Sequence, residues 1–350
     1  MESLFSSYEI RGLTLRNRVV MSPMCQYSCD DQDGKATDWH VVHMATRAAG
    51  GVGLAIMEAT AVEPGGRISY ECTGLWTDDQ IEPFARVVKA TKDQGAAIGI
   101  QLAHAGRKAA TEMQGNWDDG QRLVGPSPVP FDDGWVVPSE LDHQEIENIV
   151  GNFADAARRA VSAGFDMVEI HAAHGYLLSS FLSPLANLRT DAYGGSIANR
   201  ARFAVDVVLA VREVVPQNMP VFVRISGVDF VDNGTKIEDS IEVSKLLAKA
   251  GADVIDVSGG GNSASVPPVR VGAPGYQVDH ADQIRRKGGV STMAVGMITK
   301  PAEADAVIRD GSADLVALGR ELLRNPYWAL HAADELGCDI EWPKQYMRAR

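Results

Sequence analysis

Two histidines and a tyrosine lie within a span of six residues and form the most informative chemical grouping in this chain. His171, His174 and Tyr176 follow an apolar run of strand character, residues 167–170, and the strand pattern breaks at Gly175. Two neutral imidazoles can hold a developing oxyanion, and a phenol can supply a proton. The alternative interpretation is a structural one, in which buried histidines bond to backbone groups beside a core tyrosine.

The strand that delivers these residues is one of eight similar apolar segments. Most are separated by helical patterns, at 144–163, 197–215 and 237–250 among others, and Ala-Gly or Asp-Gly pairs close several of these helices. Eight alternations predict a single (β/α)8 barrel domain over residues 1–350. An open doubly wound sheet is the alternative, disfavoured because no Gly-x-Gly-x-x-Gly follows the early strands. The predicted strands are Val19–Ser22, Gly53–Glu58, Ala97–Leu102, Met167–His171, Val221–Ile225, Val254–Ser258, Met293–Gly296 and Leu315–Gly319.

One long irregular stretch interrupts this alternation. Residues 109–141 contain Trp117, Asp118, Asp119 and several prolines. Loops of this length usually cover a functional site. We therefore expect an excursion over the mouth of the barrel.

Composition limits the classes of function. The chain has 350 residues, is 45% hydrophobic, and carries 33 basic against 46 acidic residues, a formal net charge of −13. This balance argues against a nucleic-acid groove or an anionic membrane surface as the main partner. Four cysteines without zinc-ligand spacing indicate a reducing compartment. The N-terminus has no basic region followed by an apolar core, and no apolar run reaches membrane-spanning length. The expected location is therefore the cytoplasm.

Other polar residues are expected at the same end of the barrel as the histidines. Strand 1 leads into Ser22–Tyr27 and strand 2 ends in Glu58-Ala59. Strand 3 ends in Gln101-Leu-Ala-His104, and Arg224 lies near the end of strand 5. A guanidinium and an amide suit the edge of an electron-rich ring that becomes anionic on reduction. A salt bridge with a carboxylate is the alternative interpretation of Arg224.

The last two strands end in a pattern typical of a phosphate site. Gly296 follows strand 7, and Gly319 and Arg320 follow strand 8. Glycine lets the backbone amides approach an anion, and the arginine adds positive charge. The pattern predicts a phosphorylated ligand without naming it.

Five segments together resemble the Old Yellow Enzyme family of FMN-dependent ene-reductases, in its thermophilic-like bacterial branch. The resemblance covers essentially the whole chain. The segments are Asn17–Tyr27, Gly99–Lys108, His171–Tyr176, Phe181–Pro184 and Asn187–Ser196.

The resemblance implies a role for each candidate residue. Tyr176 would donate a proton, while His171 and His174 would hold the carbonyl or nitro oxygen of the substrate. Tyr27 resembles a second tyrosine that faces the substrate, with a packing role as the alternative. Cys25 would tune the flavin, or else be an inert small hydrophobe. The residues that would bind FMN are Ser22, Pro23, Met24, Cys25, Ala59, Gln101, Arg224, Gly296, Gly319 and Arg320.

The implied reaction uses NADPH or NADH as reductant. In a ping-pong cycle, hydride passes to flavin N5 and then to the β-carbon of an α,β-unsaturated carbonyl or nitro compound, and no metal takes part. The alternatives are a flavin-dependent tRNA-modifying reductase, a dienoyl-CoA-type reductase and a metal-dependent hydrolase. The acidic charge, the missing cysteine spacing and the scarcity of carboxylates at the strand ends count against them.

The C-terminus adds an expectation about assembly. Gln345-Tyr346-Met347-Arg348 resembles the branch's C-terminal finger, in which an arginine reaches into the active site of a neighbouring subunit. The resemblance implies a homodimer or homotetramer with a shared site. Arg350 competes for this role, because the chain ends in Ala-Arg where relatives place glycine and an aromatic residue. A frayed basic tail is the alternative.

Overall fold

The computed structural model describes residues 2–109, 122–265 and 273–350. Its centre is a closed barrel of eight parallel strands that pair in the order in which they follow one another along the chain. The strands are β1 (Val19–Met21), β2 (Leu54–Ala61), β3 (Ala97–Ala103), β4 (Met167–Ala172), β5 (Val221–Ser226), β6 (Val254–Ser258), β7 (Ser291–Ala294) and β8 (Leu315–Leu318).

Helices follow the strands and cover the outside of the barrel. The helices are α1 (Asp38–Ala49), α2 (Ile81–Lys92), α3 (His143–Ala163), α4 (Leu177–Leu182), α5 (Ile197–Val214), α6 (Ile237–Ala250), α7 (Val278–Gly288), α8 (Pro301–Arg309), α9 (Arg320–Arg324) and α10 (Trp328–Glu335). Within the described ranges, none of them is long and apolar enough to cross a bilayer.

Helix α3 shows how local sequence sets these elements. Asp142 accepts a hydrogen bond from the backbone N–H of Glu145 at 2.8 Å, and the Glu145 side chain accepts one from Asp142 N–H at 2.9 Å. This reciprocal cap begins the helix. Gly164, in the left-handed region with φ of 92°, ends it. Between the caps, Ile146 and Phe153 are fully buried against the barrel.

Apolar side chains fill the lower part of the barrel. Val20, Ile56, Phe222 and Met293 belong to one buried cluster in its interior. An N-terminal hairpin of two short antiparallel strands, Tyr8–Ile10 and Leu13–Leu15, packs Ile10 and Leu15 onto the same cluster. The lower end is therefore closed by packing, which leaves the carboxyl ends of the strands for ligands.

The structure confirms the predicted barrel and all eight strand positions, with shifted ends. Strand β2 continues to Ala61, past a register shift between Met57 and Ala59, and β7 begins at Ser291 and ends at Ala294. Glu58 and Ala59 are therefore inside a strand, whereas Gly296 lies two residues beyond one. The shifts arise because pairing with a neighbouring strand, which the sequence pattern does not show, decides where a strand ends.

The structure describes only part of the irregular stretch 109–141. Residues 110–121, which include Trp117, Asp118 and Asp119, lie outside the described residues. In the remainder, Val124–Gly125 and Ser139–Glu140 form a small parallel pair of strands.

Candidate active site

A cavity of about 260 Å³ opens at the carboxyl ends of the strands. Loops after β1, β4, β7 and β8 and residues on β5 and β6 contribute to its walls. The lining residues include Ser22, Pro23, Met24, His174, Arg224, Ser258, Tyr276, Gln277, Gly296, Met297, Gly319 and Arg320. The fold thus brings His174 and seven other predicted residues, from separate parts of the sequence, together in one cavity. The seven are Ser22, Pro23, Met24, Arg224, Gly296, Gly319 and Arg320.

The two histidines and the tyrosine cluster where β4 leads into α4. The His171 ring centroid lies 5.1 Å from that of His174 and 5.0 Å from that of Tyr176, with the rings close to perpendicular. The His174 and Tyr176 centroids are 6.5 Å apart. All three side chains therefore border one small volume.

Hydrogen bonds orient both imidazoles. Nδ1 of His171 accepts a bond from the backbone N–H of Ala173 at 3.2 Å, which places the proton of the neutral ring on Nε2. Nε2 of His174 lies 2.6 Å from Oγ of Ser258. Within the described ranges, His171 Nε2 and His174 Nδ1 bond to no other protein group. These two nitrogens are therefore available to a ligand.

Burial keeps these side chains neutral. It lowers the pKa of both histidines well below its usual value, and the charges of Arg224 and Lys108 lower it further. Burial also raises the pKa of the Tyr176 phenol, an effect that Cys25 and Tyr27 reinforce. At neutral pH the site thus holds two uncharged imidazoles and a phenol that keeps its proton.

A pair of facing glycines fixes the loop that carries His174. A Cβ on Gly175, whose φ is +74°, would lie 1.9 Å from the carbonyl oxygen of Gly261. A Cβ on Gly261, whose φ is +99°, would lie 2.3 Å from the backbone of His174. The loops after β4 and β6 can approach this closely only because neither residue has a side chain.

Lys108 supports the same loop from the other side. Its Nζ donates to the carbonyl oxygens of His174 at 2.8 Å and Gly261 at 3.2 Å. It lies 4.2 Å from the ring centroid of Phe131, in the irregular stretch, and 5.2 Å from that of Tyr176. Burial, with a contribution from Arg107, lowers the pKa of Lys108 to about 8.

The predicted phosphate site combines glycine backbone with a positively charged side chain. Gly296 has a φ of +130°, and a Cβ there would meet Tyr276 at 3.2 Å. Gly319 precedes Arg320, the first residue of α9. Among the residues described, Arg320 contacts Met297 Sδ at 2.9 Å and pairs with no carboxylate. A cation that no described carboxylate compensates, beside glycine backbone in the cavity wall, fits a phosphate.

Arg224 meets both interpretations that its sequence position allowed. Its Nε lies 3.1 Å from Oδ2 of Asp256, so the residue is in a buried ion pair. It also lines the cavity, where Nη1 donates to Oγ of Ser22 at 3.1 Å. The ion pair therefore holds the guanidinium at the cavity wall.

Seven predicted residues are not in the cavity lining. His171 and Tyr176 are two of these, and their rings adjoin that of His174. Gln101 is buried inside the barrel, and its amide donates to Glu169. Ala59 and Cys25 pack in an adjoining apolar cluster. Tyr27 is 47% exposed, close enough to Tyr176 to affect its pKa. Arg348 lies in an exposed C-terminal turn, Lys344–Ala349.

Buried side chains hold the loop after β1 in place. Glu58 bonds His40 Nε2 at 2.7 Å and the backbone N–H of Gln26, so it is a support for this loop. The neighbouring Cys72 thiol, together with burial, raises the pKa of Cys25 well above its usual value. Cys25 is therefore a thiol and not a thiolate at neutral pH.

Sequence reasoning missed several residues of the site. Ser258 is the last residue of β6, so its position at a strand end was a usable signal. Lys108 lies in a segment that carries the family resemblance. Tyr276 and Gln277 reach the cavity from the connection between β6 and α7, and only the fold brings them there.

The fold and the cavity define a class, a (β/α)8-barrel enzyme that holds a phosphorylated cofactor at the carboxyl ends of its strands. Comparison with known proteins makes this specific. A profile of the NADH:flavin oxidoreductase / NADH oxidase family matches residues 3–338. An NADPH dehydrogenase of Geobacillus thermodenitrificans is 51% identical, covering 99% of this chain and 98% of that protein. One of Listeria monocytogenes is 48% identical, with 100% and 99% covered.

Solved structures agree with the sequence comparison. Morphinone reductase in complex with tetrahydroNAD is 30% identical with a TM-score of 0.80, and the match covers 98% of this chain and 93% of that one. The Old Yellow Enzyme homologue from Zymomonas mobilis is 26% identical with a TM-score of 0.79, covering 97% and 94%. This chain belongs to the NADH:flavin oxidoreductase / NADH oxidase family, which includes the Old Yellow Enzymes. It is an FMN-dependent oxidoreductase that uses NADPH or NADH.

The residues present fit FMN, whose single phosphate ends a short ribityl chain. Arg320, which pairs with no carboxylate of the described residues, and the backbone at Gly296 suit that phosphate. Arg224 and Ser22 lie in the same cavity as donors for the polar edge of the ring.

Proposed function

We propose that the enzyme reduces the activated C=C bond of α,β-unsaturated carbonyl or nitro compounds. The observation that supports this best is the His171, His174 and Tyr176 cluster, with His174 lining the cavity assigned to FMN. When bound, FMN supplies hydride transfer, from NADPH or NADH to the β-carbon of the substrate.

The two imidazoles bind the substrate oxygen. His171 Nε2 and His174 Nδ1 are the nitrogens left available by Ala173 and Ser258. As uncharged donors they favour the negative charge that develops on a carbonyl or nitro oxygen when hydride reaches the β-carbon. An alkene without such an oxygen would gain nothing from them.

Tyr176 donates the proton that completes the reduction. Its phenol borders the same volume as the imidazoles and makes no hydrogen bond to another of the described residues. Because burial raises the pKa of the phenol, it carries its proton throughout the neutral range. It is the acid for the α-carbon of the substrate.

The remaining candidates hold FMN. Gly296, Gly319 and Arg320 bind its phosphate, and Gln101 and Arg224 face the pyrimidine edge of its ring. The loop residues Ser22, Pro23, Met24 and Cys25, together with Ala59, line the ring, and Tyr27 faces the substrate.

The active site is completed by a second copy of the chain, in a homodimer or homotetramer. In this structure, Arg348 and Arg350 lie outside the cavity of their own subunit, and Arg350 pairs with Asp339 on the surface. Arg348 is the residue that reaches the neighbouring site. The chain is a single domain. The acidic enzyme acts in the cytoplasm without a nucleic-acid or membrane partner.

Product analysis under anaerobic conditions tests the reaction. NADPH and 2-cyclohexen-1-one should give cyclohexanone in equal amount to the NADPH consumed. 2-Cyclohexen-1-ol and cyclohexene are the controls, since they lack the oxygen that the histidines would bind as an oxyanion. NADPH consumption without cyclohexanone, or equal turnover of the three compounds, would overturn the proposal.

A further inference from the structure

A buried pair of acids lies inside the barrel, below the cavity. Glu169 on β4 and Asp256 on β6 are both completely inaccessible to solvent. Strand β5 runs between them, and its Arg224 is paired in register with Asp256. The carboxyl groups of Glu169 and Asp256 are therefore enclosed together with the guanidinium of Arg224, and these three side chains form a buried layer.

Each acid contacts one of the two residues assigned to the ring edge of FMN. Oε1 of Glu169 accepts a hydrogen bond from the Gln101 amide at 2.7 Å. Oδ2 of Asp256 lies 3.1 Å from Nε of Arg224. The acids thus hold the amide and the guanidinium from below. A second amide N–H of Gln101 remains for a group above, while Nη1 of Arg224 donates to Oγ of Ser22 at the cavity wall.

These contacts leave much of the carboxyl pair unsatisfied. Among the described residues, Oε2 of Glu169 and both oxygens of Asp256 accept no well-aligned hydrogen bond. Two ionised carboxylates in this position would repel each other in a medium that screens them poorly. Burial raises the pKa of both acids, and the Asp256 charge further raises that of Glu169, to about 8.

We propose that Glu169 and Asp256 hold one proton between them, and that this pair is a positioning element that sets the redox potential of FMN. With one proton, the pair carries a charge of −1 and offsets Arg224. The proposal depends on the assignment of Arg224 and Gln101 to the ring edge made under the proposed function.

The electrostatic consequence follows from the charge of the layer. The isoalloxazine gains negative charge on two-electron reduction, and Arg224 favours that charge. One carboxylate charge offsets Arg224. A second would make the three side chains net negative and oppose reduction of the ring, whereas loss of both would leave Arg224 uncompensated. With one shared proton, the electrostatic potential at the ring edge therefore lies between these two extremes. The same pair keeps the Gln101 amide and the Arg224 guanidinium in place.

Amide substitutions of the holoenzyme test the charge. Glu169→Gln and Asp256→Asn each put an N–H where the shared proton lies and leave one carboxylate, so the flavin potential should stay at the wild-type value. The double variant leaves Arg224 unpaired. At a fixed solution potential, its ratio of reduced to oxidised flavin should rise about tenfold, which is about 30 mV for a two-electron couple.

Infrared spectroscopy tests the proton independently of the potential. The carbonyl stretch of a protonated carboxylic acid should be present in the wild type and absent from either single variant. The control is Asp305→Asn, which removes a buried carboxylate on α8 that accepts from the Leu4 N–H and should leave band and potential unchanged. If the double variant does not fold, the carbonyl band and the flavin potentials of the two single variants still test whether the acids share one proton.

The outcomes separate this inference from the proposed function. A tenfold shift in either single variant would show that both acids are ionised, and an unshifted double variant would show that the pair does not act on the flavin. Both overturn the inference. If Arg224→Gln also leaves FMN affinity and potential unchanged, the assignment of the ring edge has failed instead.

Discussion

Neutral histidines in the active site follow from where β4 ends. Burial and two nearby cations, Arg224 and Lys108, lower the pKa of His171 and His174, so both imidazoles remain neutral. Ser258 and the Ala173 amide determine which nitrogen of each ring is available. A static charge at this position would bind the ground state of an anion, whereas neutral donors favour charge that develops during the reaction.

The first residue-scale prediction concerns the proton donor. Tyr176→Phe should slow the oxidation of the reduced flavin by 2-cyclohexen-1-one about a hundredfold, because only this step uses the phenol proton. Reduction of the flavin by NADPH should be almost unchanged. Anaerobic stopped-flow measurement of both half-reactions checks this. An equal loss in both would indicate that the phenol has a structural role.

The second residue-scale prediction concerns the oxygen-binding pair. His174→Ala should weaken the binding of a para-substituted phenol, which places an oxyanion between the imidazoles, by about tenfold or more. Titration of the flavin absorption spectrum gives the dissociation constant. His331→Ala, which removes an exposed histidine on α10, is the control. Unchanged phenol affinity in His174→Ala would contradict the assigned role.

The sequence predicted the residues of this cluster but not their surroundings. His171, His174 and Tyr176 were recognisable because they directly follow an apolar strand. Ser258 and Gln277 were not, since their place beside His174 depends on how β6 and its following loop approach β4. Gln101 was predicted from its strand end, but its contact with the buried acid Glu169 gave no signal in the sequence.

At the scale of elements, the connection from β4 to α4 carries the most constraint. His174 itself has a positive φ of 63°, and the next residue, Gly175, meets the loop after β6 without room for a side chain. Lys108 donates to the carbonyl oxygens of both loops. The position of His174 therefore depends on three separate connections.

The element-scale prediction tests this close approach. Gly175→Ala should lower the free energy of unfolding by about 1–3 kcal/mol or more and weaken phenol binding, because the new Cβ forces the two loops apart. The control is Gly195→Ala, since Gly195 has a similar φ of +79° but nothing within 4 Å of the new Cβ. Thermal and chemical unfolding measure stability. Equal effects of the two variants would show that backbone strain alone matters.

The order of strands could be predicted from the sequence, but the strand ends could not. Eight apolar runs alternating with helices leave few arrangements other than a barrel. Pairing extended β2 to Ala61 and displaced β7 to Ser291–Ala294, so Gly296 lies in a loop where its backbone can turn with a φ of +130°. These boundaries depend on register between strands, a long-range property.

At the scale of the whole molecule, buried histidines link stability to pH. Burial lowers the pKa of His43 to about 3, and its two ring nitrogens have no hydrogen-bond partner within the described ranges. Between that value and the unfolded value of about 6.5, the unfolded chain binds more protons than the folded one. His171 and His174 act in the same direction. Stability therefore falls as pH decreases through this window.

The corresponding prediction concerns the slope of stability against pH. The free energy of unfolding should decrease below about pH 6.5 by up to about 1.4 kcal/mol per pH unit for each such histidine. His43→Leu should reduce the slope by about the contribution of one proton. Urea unfolding at several pH values between about 5 and 7 measures it. An identical slope in the variant and the wild type would contradict the assignment.

The second whole-molecule prediction concerns assembly. Arg348→Ala should reduce ligand affinity and alter enone kinetics if the C-terminal turn completes the site of a neighbouring subunit, because a guanidinium there contacts the ligand. Truncation after Trp342 should also change the oligomer mass measured by light scattering. Arg350→Ala is the matched control, since that residue pairs with Asp339. Wild-type affinity, kinetics and mass in Arg348→Ala and the truncation would contradict a shared site.

The central claim is that this FMN enzyme passes hydride to an enone whose oxygen is held by His171 and His174. The most direct test is a single turnover without oxygen. The protein is reduced with one equivalent of NADPH and then mixed with 2-cyclohexen-1-one while the flavin absorption is followed. The account predicts that the oxidised flavin spectrum returns and one equivalent of cyclohexanone forms. A flavin that stays reduced until oxygen is admitted would contradict it.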